Sequence, residues 1–430
     1  MNKKRIAVVG IIAAATVLIF AAILFSTNKK ITIAVYGLSE TETLAIKDLC
    51  SSQLTDSYKL ECIVLNSEKK LYDQIHANKN IDIVFTENGL ALERAKPLFK
   101  KFDGALFQKL PSVFSNSGPW VNTVRYGKTA VGDHTTTSNN EDNAAEIKLS
   151  DVAYYAYPLT VNAAELAVKK TAFPNAERTY YTDSAEIETM LKTTKEKFSY
   201  PLTLSGADNE ILAFLLSVLL TEHSVDYASD TFSALQKEID FHKHLPNELR
   251  QILQILVTWK KAGFLHNQWY DLVDTDVQTF LEFDQSASAL LTTEKHIQLD
   301  RNFMENYVQK SVLLTNSLAK ANIPARMISV SQVEKKQDKK KAALSNTLVS
   351  FFQTIEAQKK LVQRLHVSAV EYEANTVSVT STIAGWVYAA NSVIPTIDKI
   401  LFETVADREK FFAEVRAYIA ADGIGYDTER

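Results

Sequence analysis

Five short segments near the start of the chain decide its fold: "ITIAVYG" (31–37), "ETLAIKDLCSSQL" (42–54), "KLECIVL" (59–65), "EKKLYDQIHA" (68–77) and "IDIVFTEN" (81–88). Apolar, strand-like runs alternate with helical ones, which is the pattern of a parallel sheet covered by helices. In such sheets ligands sit beyond the carboxyl ends of the strands. The loops 37–40 and 86–88 follow the first and third strands, so Ser39, Glu40, Glu87 and Asn88 are expected at a ligand edge. Carboxylates and amides placed there can exchange hydrogen bonds with a solute. The competing role for Glu40 is to begin a helix, where an acid is favoured.

Upstream, Lys3, Lys4 and Arg5 precede an uncharged run over residues 6–26, about the length that crosses a bilayer as a helix. Lys29 and Lys30 follow it, so the charge flanks favour a cytoplasmic N-terminus only slightly. The end of the run, "FAAILFST" (20–27), offers Ser26 with Leu24 before it, not small residues at both positions that a signal peptidase reads. An uncleaved signal-anchor over residues 1–30 is therefore expected. No cysteine lies just after the run, where a lipoprotein would need one. Cys50 and Cys62 read as small core residues, with a disulfide chemically permitted if the domain is exported.

Downstream, the polar stretch 126–151 reads as a loop or hairpin insertion. The aromatic strand "VAYYAYPLTV" (152–161) then opens a second lobe, and alternation in it is expected to put Tyr155 and Tyr157 on one face. Residues 211–220 are apolar nearly all round, as in a buried helix, and 247–263 have amphipathic spacing, with Asn247 as the expected N-cap. Pro395 divides the last helical span. The expected division is an anchor and linker (1–30), a first lobe (31–153, with part of 312–375) and a second lobe (154–311, completed by 376–430).

With 430 residues, 46% of them hydrophobic, the chain has material for two lobes of ordinary domain size. A net charge of -4 provides no field that would gather nucleic acid. The lysine-rich stretch 333–346 reads as a solvated loop leading into a helix. No phosphate-binding loop, GxGxxG, HExxH, GxSxG or CxxC occurs, so phosphoryl transfer and dinucleotide chemistry lose their usual signals and no cofactor is expected. His242 and His244 lack a third ligand at short spacing, and no metal is expected. Carboxylate pairs such as Asp274 with Asp276 and Glu282 with Asp284 arise by chance among 51 acids, so a hydrolase, and an enzyme generally, is disfavoured.

The order of the later segments adds a resemblance. "YYAYPLTVNAAELAVKKTAFPNA" (154–176), "PLTLSGADNEILAFLLSVLL" (201–220), "ILQILVTWKKAGF" (252–264), "FDQSASAL" (283–290), "AALSNTLVSFFQTIEAQKKL" (342–361) and "STIAGWVYAANSVIPTIDKIL" (381–401) follow the opening strands. From about residue 31 to the C-terminus this succession resembles the extracellular solute-binding proteins of ABC importers, the family of maltose-binding and other sugar-binding proteins. Two departures stand out: Ser286 where the family's F-x-x-G-x-x-A-M pattern has glycine, and "LTTEKH" (291–296) where an aromatic, glycine-rich loop is usual.

The resemblance implies an α/β, two-lobed periplasmic-binding-protein fold with hinge crossings, here preceded by one N-terminal transmembrane helix. It implies a monomer that takes a small solute, a carbohydrate, between its lobes and presents it to ABC permease subunits from the outer face of the inner membrane. It places Trp386 as a ligand-facing aromatic, with Gly385 allowing close approach. Tyr155 and Tyr157 line the cleft or pack the hinge, and Asp208 caps the following helix or helps hold an anion at its N-terminus. The alternative is a membrane-anchored sensor or scaffold of the same fold that has lost transport. The missing aromatic loop is the feature that supports it.

Overall fold

In the computed structural model the described residues are 30–54, 58–107, 110, 111, 113, 114, 154–172, 184–223, 239–299, 305–312, 321–336 and 339–426. The expected anchor over residues 6–26 and the polar stretch 126–151 lie outside them. Among the described residues no helix is long and apolar enough to cross a membrane.

The first lobe begins as the alternation predicts. Strand β1 (Lys30–Tyr36), helix α1 (Glu40–Ser52), β2 (Lys59–Val64), α2 (Leu71–Ala77), β3 (Ile83–Glu87), α3 (Leu90–Ala95) and α4 (Gly104–Phe107) follow one another, with β1 parallel to both β2 and β3. Helix α1 starts where it does because Ser39 and Glu42 form a reciprocal capping box: the Glu42 amide donates to the Ser39 hydroxyl, and the Ser39 amide to the Glu42 carboxylate. The helix turns Ala45, Ile46, Leu49 and Cys50 into the core. Cys50 and Cys62 are free thiols in this structure, and burial pushes the Cys50 thiol well above its usual range.

What reads in the sequence as one crossing strand is two. Strand β4 (Tyr157–Asn162) belongs to the first sheet and β5 (Ala164–Lys169) to a second, with Ala163 alone between them. The second lobe continues through α5 (Ser184–Lys195), β6 (Leu202–Thr203), α6 (Asn209–His223), α7 (Asn247–Lys261), α8 (Asp274–Glu282), β7 (Ser288–Thr292), α9 (Thr293–Gln298) and β8 (Tyr307–Ser311). Its four strands run in the order β6-β7-β5-β8. Helix α6 is its spine: every residue from Ile211 to Leu220 is buried, which suits a run with no polar face. Helix α7 starts at Asn247, with Pro246 at its N-cap, because proline's fixed φ suits a helix entry and leaves Asn247 inside the first turn.

The chain then returns. Strands β9 (Asn322–Pro324) and β10 (Arg326–Gln332), helices α10 (Lys339–Phe352) and α11 (Ile355–Leu365), strand β11 (Ser368–Ala369) and helix α12 (Ser378–Ala389) come back to the first lobe. Strand β12 (Ser392–Ile394) pairs in parallel with β9, and α13 (Ile397–Leu401) and α14 (Val405–Ala420) pack into the second core. The first sheet is thus β11-β4-β10-β3-β1-β2, with β10 antiparallel to β3 and to β4. The expected division assigned residues 376–430 to the second lobe. In the structure α12 packs on the first core, and the chain crosses between Val393, in the first core, and Ile394, in the second.

Two expected positions are corrected at this level. Tyr155 packs with Tyr36 and Ala156 against one core, whereas Tyr157 packs with Leu159 and Val161 against another, beside Phe107. Alternation puts residues two apart on one face only within a strand, and β4 begins at Tyr157. Trp386 is 6% exposed among Ile383, Val387 and Val393, so it is a core residue of the first lobe and not a platform for a ligand. A side chain at Gly385 would meet nothing within 4 Å, so the glycine marks no close approach.

Candidate functional site

The carboxyl ends of β1 and β3 open onto a cleft of about 510 Å³ between the lobes. The first lobe supplies Gly37, Ser39, Glu42, Glu87, Asn162 and Arg326; the second supplies Asn209, Glu210, Glu294, Asp398, Lys399, Arg408 and Glu409. These residues come from the loop after β1 and the first turn of α1, the end of β3, the end of β4, the start of β10 and the N-terminal turns of α6, α9, α13 and α14.

Glu87 is the centre of the site. It is 7% exposed, and its carboxylate faces Arg326 Nε at 2.9 Å, Lys399 Nζ at 3.3 Å and Arg408 Nη1 at 3.4 Å. Burial alone would raise its pKa, but the charges of Lys399, Arg326 and Arg408 outweigh burial and pull it down to about 2. Two of these cations belong to the second lobe, so one carboxylate joins both lobes. Arg326 also grips Glu42, with Nη1 and Nη2 at 2.5 and 2.7 Å from its two oxygens, the forked geometry that suits a guanidinium and a carboxylate. Burial works to raise the Glu42 carboxyl, and Arg326 holds it below its ordinary value.

Backbone geometry brings these groups together. Gly37 has φ 72°, and a Cβ there would stand 2.2 Å from Glu87 Oε1. Gly89 has φ 126°, and a Cβ would lie 2.7 Å from the Lys399 carbonyl of the second lobe. Only glycine permits both the conformation and the approach.

The second half of the wall is less complete. Asn162 Nδ2 donates to Glu210 Oε1 at 2.9 Å across the crossing point. Asn162 is 4% exposed, and its Oδ1 is buried without a hydrogen-bond partner. Burial holds the Glu210 carboxyl above its ordinary value, with Arg326 and Lys399 opposing. Glu294 and Glu409 are exposed at the rim, and among the described residues neither has a base at ion-pair distance. Arg408 Nε is likewise buried without an acceptor.

The residues expected at a ligand edge divide. Ser39 and Glu87 line the cleft, although Ser39 spends its hydroxyl on capping α1. Glu40 is exposed in the first turn of α1 and does not line the cleft. Asn88 is buried behind it: its side chain donates to the Ala325 carbonyl and accepts from the Met327 amide, both at 2.9 Å, tying β3 to β10. Asp208 caps α6 by accepting from the Glu210 amide at 2.7 Å and pairs with Lys295 at 2.6 Å. Tyr155, Tyr157 and Trp386 do not line the cleft. Phe412 is its one aromatic among the described residues, and it is 2% exposed. Among the described residues no group of three or more His, Cys, Asp and Glu side chains is placed to hold a metal.

Sequence reasoning missed Asn162, Glu210, Arg326, Lys399 and Arg408. A signal was present for two of them: Arg326 and Lys399 are charges set in apolar runs, "IPARMISV" (323–330) and "IPTIDKIL" (394–401). Such charges are buried only when partnered.

No family profile matches the sequence, and no curated protein matches it. Solved structures do match the fold. MsmE of Bacillus subtilis, in an open conformation, has a TM-score of 0.65 at 12% identity, covering 92% of this chain and 93% of its own. The bacterial solute receptor AcbH, described as exclusive for β-D-galactopyranose, has a TM-score of 0.61 at 13% identity, covering 93% and 96%. A secreted solute-binding lipoprotein from Streptomyces coelicolor has a TM-score of 0.55 at 11% identity, covering 92% and 98%. The chain has the two-lobed fold of solute-binding receptors.

Proposed function

We propose that the chain is the extracytoplasmic solute-binding component of an ABC importer, closing its lobes over a small carbohydrate and presenting it to permease subunits. The observation that carries this reading is the cleft itself, lined by convergent polar groups from both lobes at the strand ends where such folds bind ligands. The receptors that share the fold, one of them described by its galactopyranose preference and one as secreted, support both the ligand class and the location. The charged N-terminus followed by an uncharged run over residues 6–26 supports retention at the inner membrane as a signal-anchor. The contacts that Lys399 and Arg408 already make with Glu87 hold the lobes together, so opening would have to part them, and a solute in the cleft would shift the population toward the closed form that a permease reads.

A specific observation favours a second reading, a sensor or scaffold that has lost transport. The described cleft offers no exposed aromatic face for a sugar ring, and its three bases already have carboxylate partners. The two readings separate in a thermal-shift screen of the full chain in mild detergent against sugars, oligosaccharides, amino acids and polyols. A ligand that binds only the folded state must raise its melting temperature. A hit lost on Asn162→Ala supports capture; no hit from a well-folded chain supports the scaffold.

A further inference from the structure

The charges of the cleft do not balance, and the imbalance lies on one side. Arg326, Lys399 and Arg408 are matched by Glu42, Glu87 and Asp398. Glu210, Glu294 and Glu409 line the same cleft, and among the described residues none of them has a base at ion-pair distance. A separate observation points the same way: Asn162 Oδ1 is an acceptor, buried at 4% residue exposure, lining the cleft and lacking a donor. The Asn162 amide is held in place by its Nδ2, which donates to Glu210. The Asn162 oxygen therefore calls for a donor that the described residues do not supply, and the Glu210 carboxylate stands beside it in the wall of the cleft.

We propose that the solute carries an ammonium group, an amino sugar or another amine-bearing polyol, with its cationic end on Asn162 Oδ1 and Glu210 and its hydroxyls toward the rest of the wall. The inference rests on the solute-capture reading above. An ammonium brings three donors and a charge, which answers both the orphan oxygen and the unmatched carboxylates. The open donor Arg408 Nε suits a hydroxyl or ring oxygen of the same molecule. Glu210 is prepared for this partner. Burial raises its carboxyl among Arg326, Lys399, Asp208 and Glu42, and an arriving cation would favour its ionised form.

The test is isothermal titration calorimetry of the full chain with D-glucosamine and D-glucose, which differ at one position. Glucosamine should bind about tenfold or more tightly than glucose, the scale of one charge-assisted hydrogen bond. Glu210→Gln should erase most of that preference, and Glu409→Gln at the exposed rim should narrow it; a thermal melt of each variant confirms that it is folded. Equal affinity for the two sugars overturns the amine while leaving solute capture standing. A preference that survives intact in folded Glu210→Gln overturns the assignment to this corner. Silence from both sugars, together with silence across the wider panel, overturns the inference and the capture reading together.

Discussion

Of the buried carboxylates in this molecule, Glu165 and Glu87 are answered in different ways. Glu165, 0% exposed on β5, meets the Nδ1 of His296 and the side-chain amide of Gln309, all within the second lobe. Glu87, 7% exposed on β3, meets three formal cations drawn from both lobes. The first arrangement fastens β5 to helix α9 and to its neighbouring strand β8. The second makes the relation between the lobes depend on one charge, since removing it would leave Lys399 and Arg408 buried with less to face. A buried carboxylate satisfied locally contributes to folding, and one satisfied across a cleft also sets a conformational equilibrium.

The comparison breaks most visibly at Glu87. Glu87→Gln should lower stability by about 3–5 kcal/mol, the cost of removing one partner from a buried ion pair. It should also enlarge the radius of gyration seen by small-angle scattering as the lobes part, and a stable variant of unchanged radius would show that Glu87 does not join them. Acid should act next in size. The folded chain keeps Glu87 ionised to about pH 2, below the unfolded chain's ordinary carboxylate range. Its contribution is therefore complete above that range and is lost as the pH falls through it toward 2, on the order of 3 kcal/mol. Urea titrations of wild type and Glu87→Gln should converge over that interval; parallel curves would remove Glu87 from the account. The smallest effect is expected at Glu165→Gln, about 1–3 kcal/mol for lost charge-assisted bonds, with the scattering radius unchanged. A change in radius there would erase the contrast between the two carboxylates.

Much of the first lobe was legible because its order is local. The alternation of β1, α1, β2, α2 and β3 is written in period and composition, and the ligand edge follows from it, which is how Ser39 and Glu87 were found. The partners of Glu87 were not legible from local pattern. Arg326, Lys399 and Arg408 come from positions 239 to 321 residues away, brought in by a chain that leaves the first lobe and returns. The pair Tyr155 and Tyr157 failed for a different reason: period predicts a shared face only after the strand's first residue is known. Trp386 lies in a helix whose surroundings are set by which lobe it joins, and a single aromatic in an apolar run carries no mark of that choice. Asp208 was readable as a cap because capping is a relation between residues two or three apart.

Strands β4 and β5 meet at one residue, Ala163, and Asn162 is the last residue of β4. Under the closure proposed above, a rotation of one lobe against the other would turn about the crossings, of which this is one and that between Val393 and Ile394 another, and displacement would grow with distance from them as along a door. The Asn162 to Glu210 hydrogen bond lies at the frame and would persist through the swing, while the contacts of Glu87 with Lys399 and Arg408 would travel with the leaf. A solute seated first against Asn162 would therefore keep its grip while the door is still ajar, and the outer charges would act as the catch.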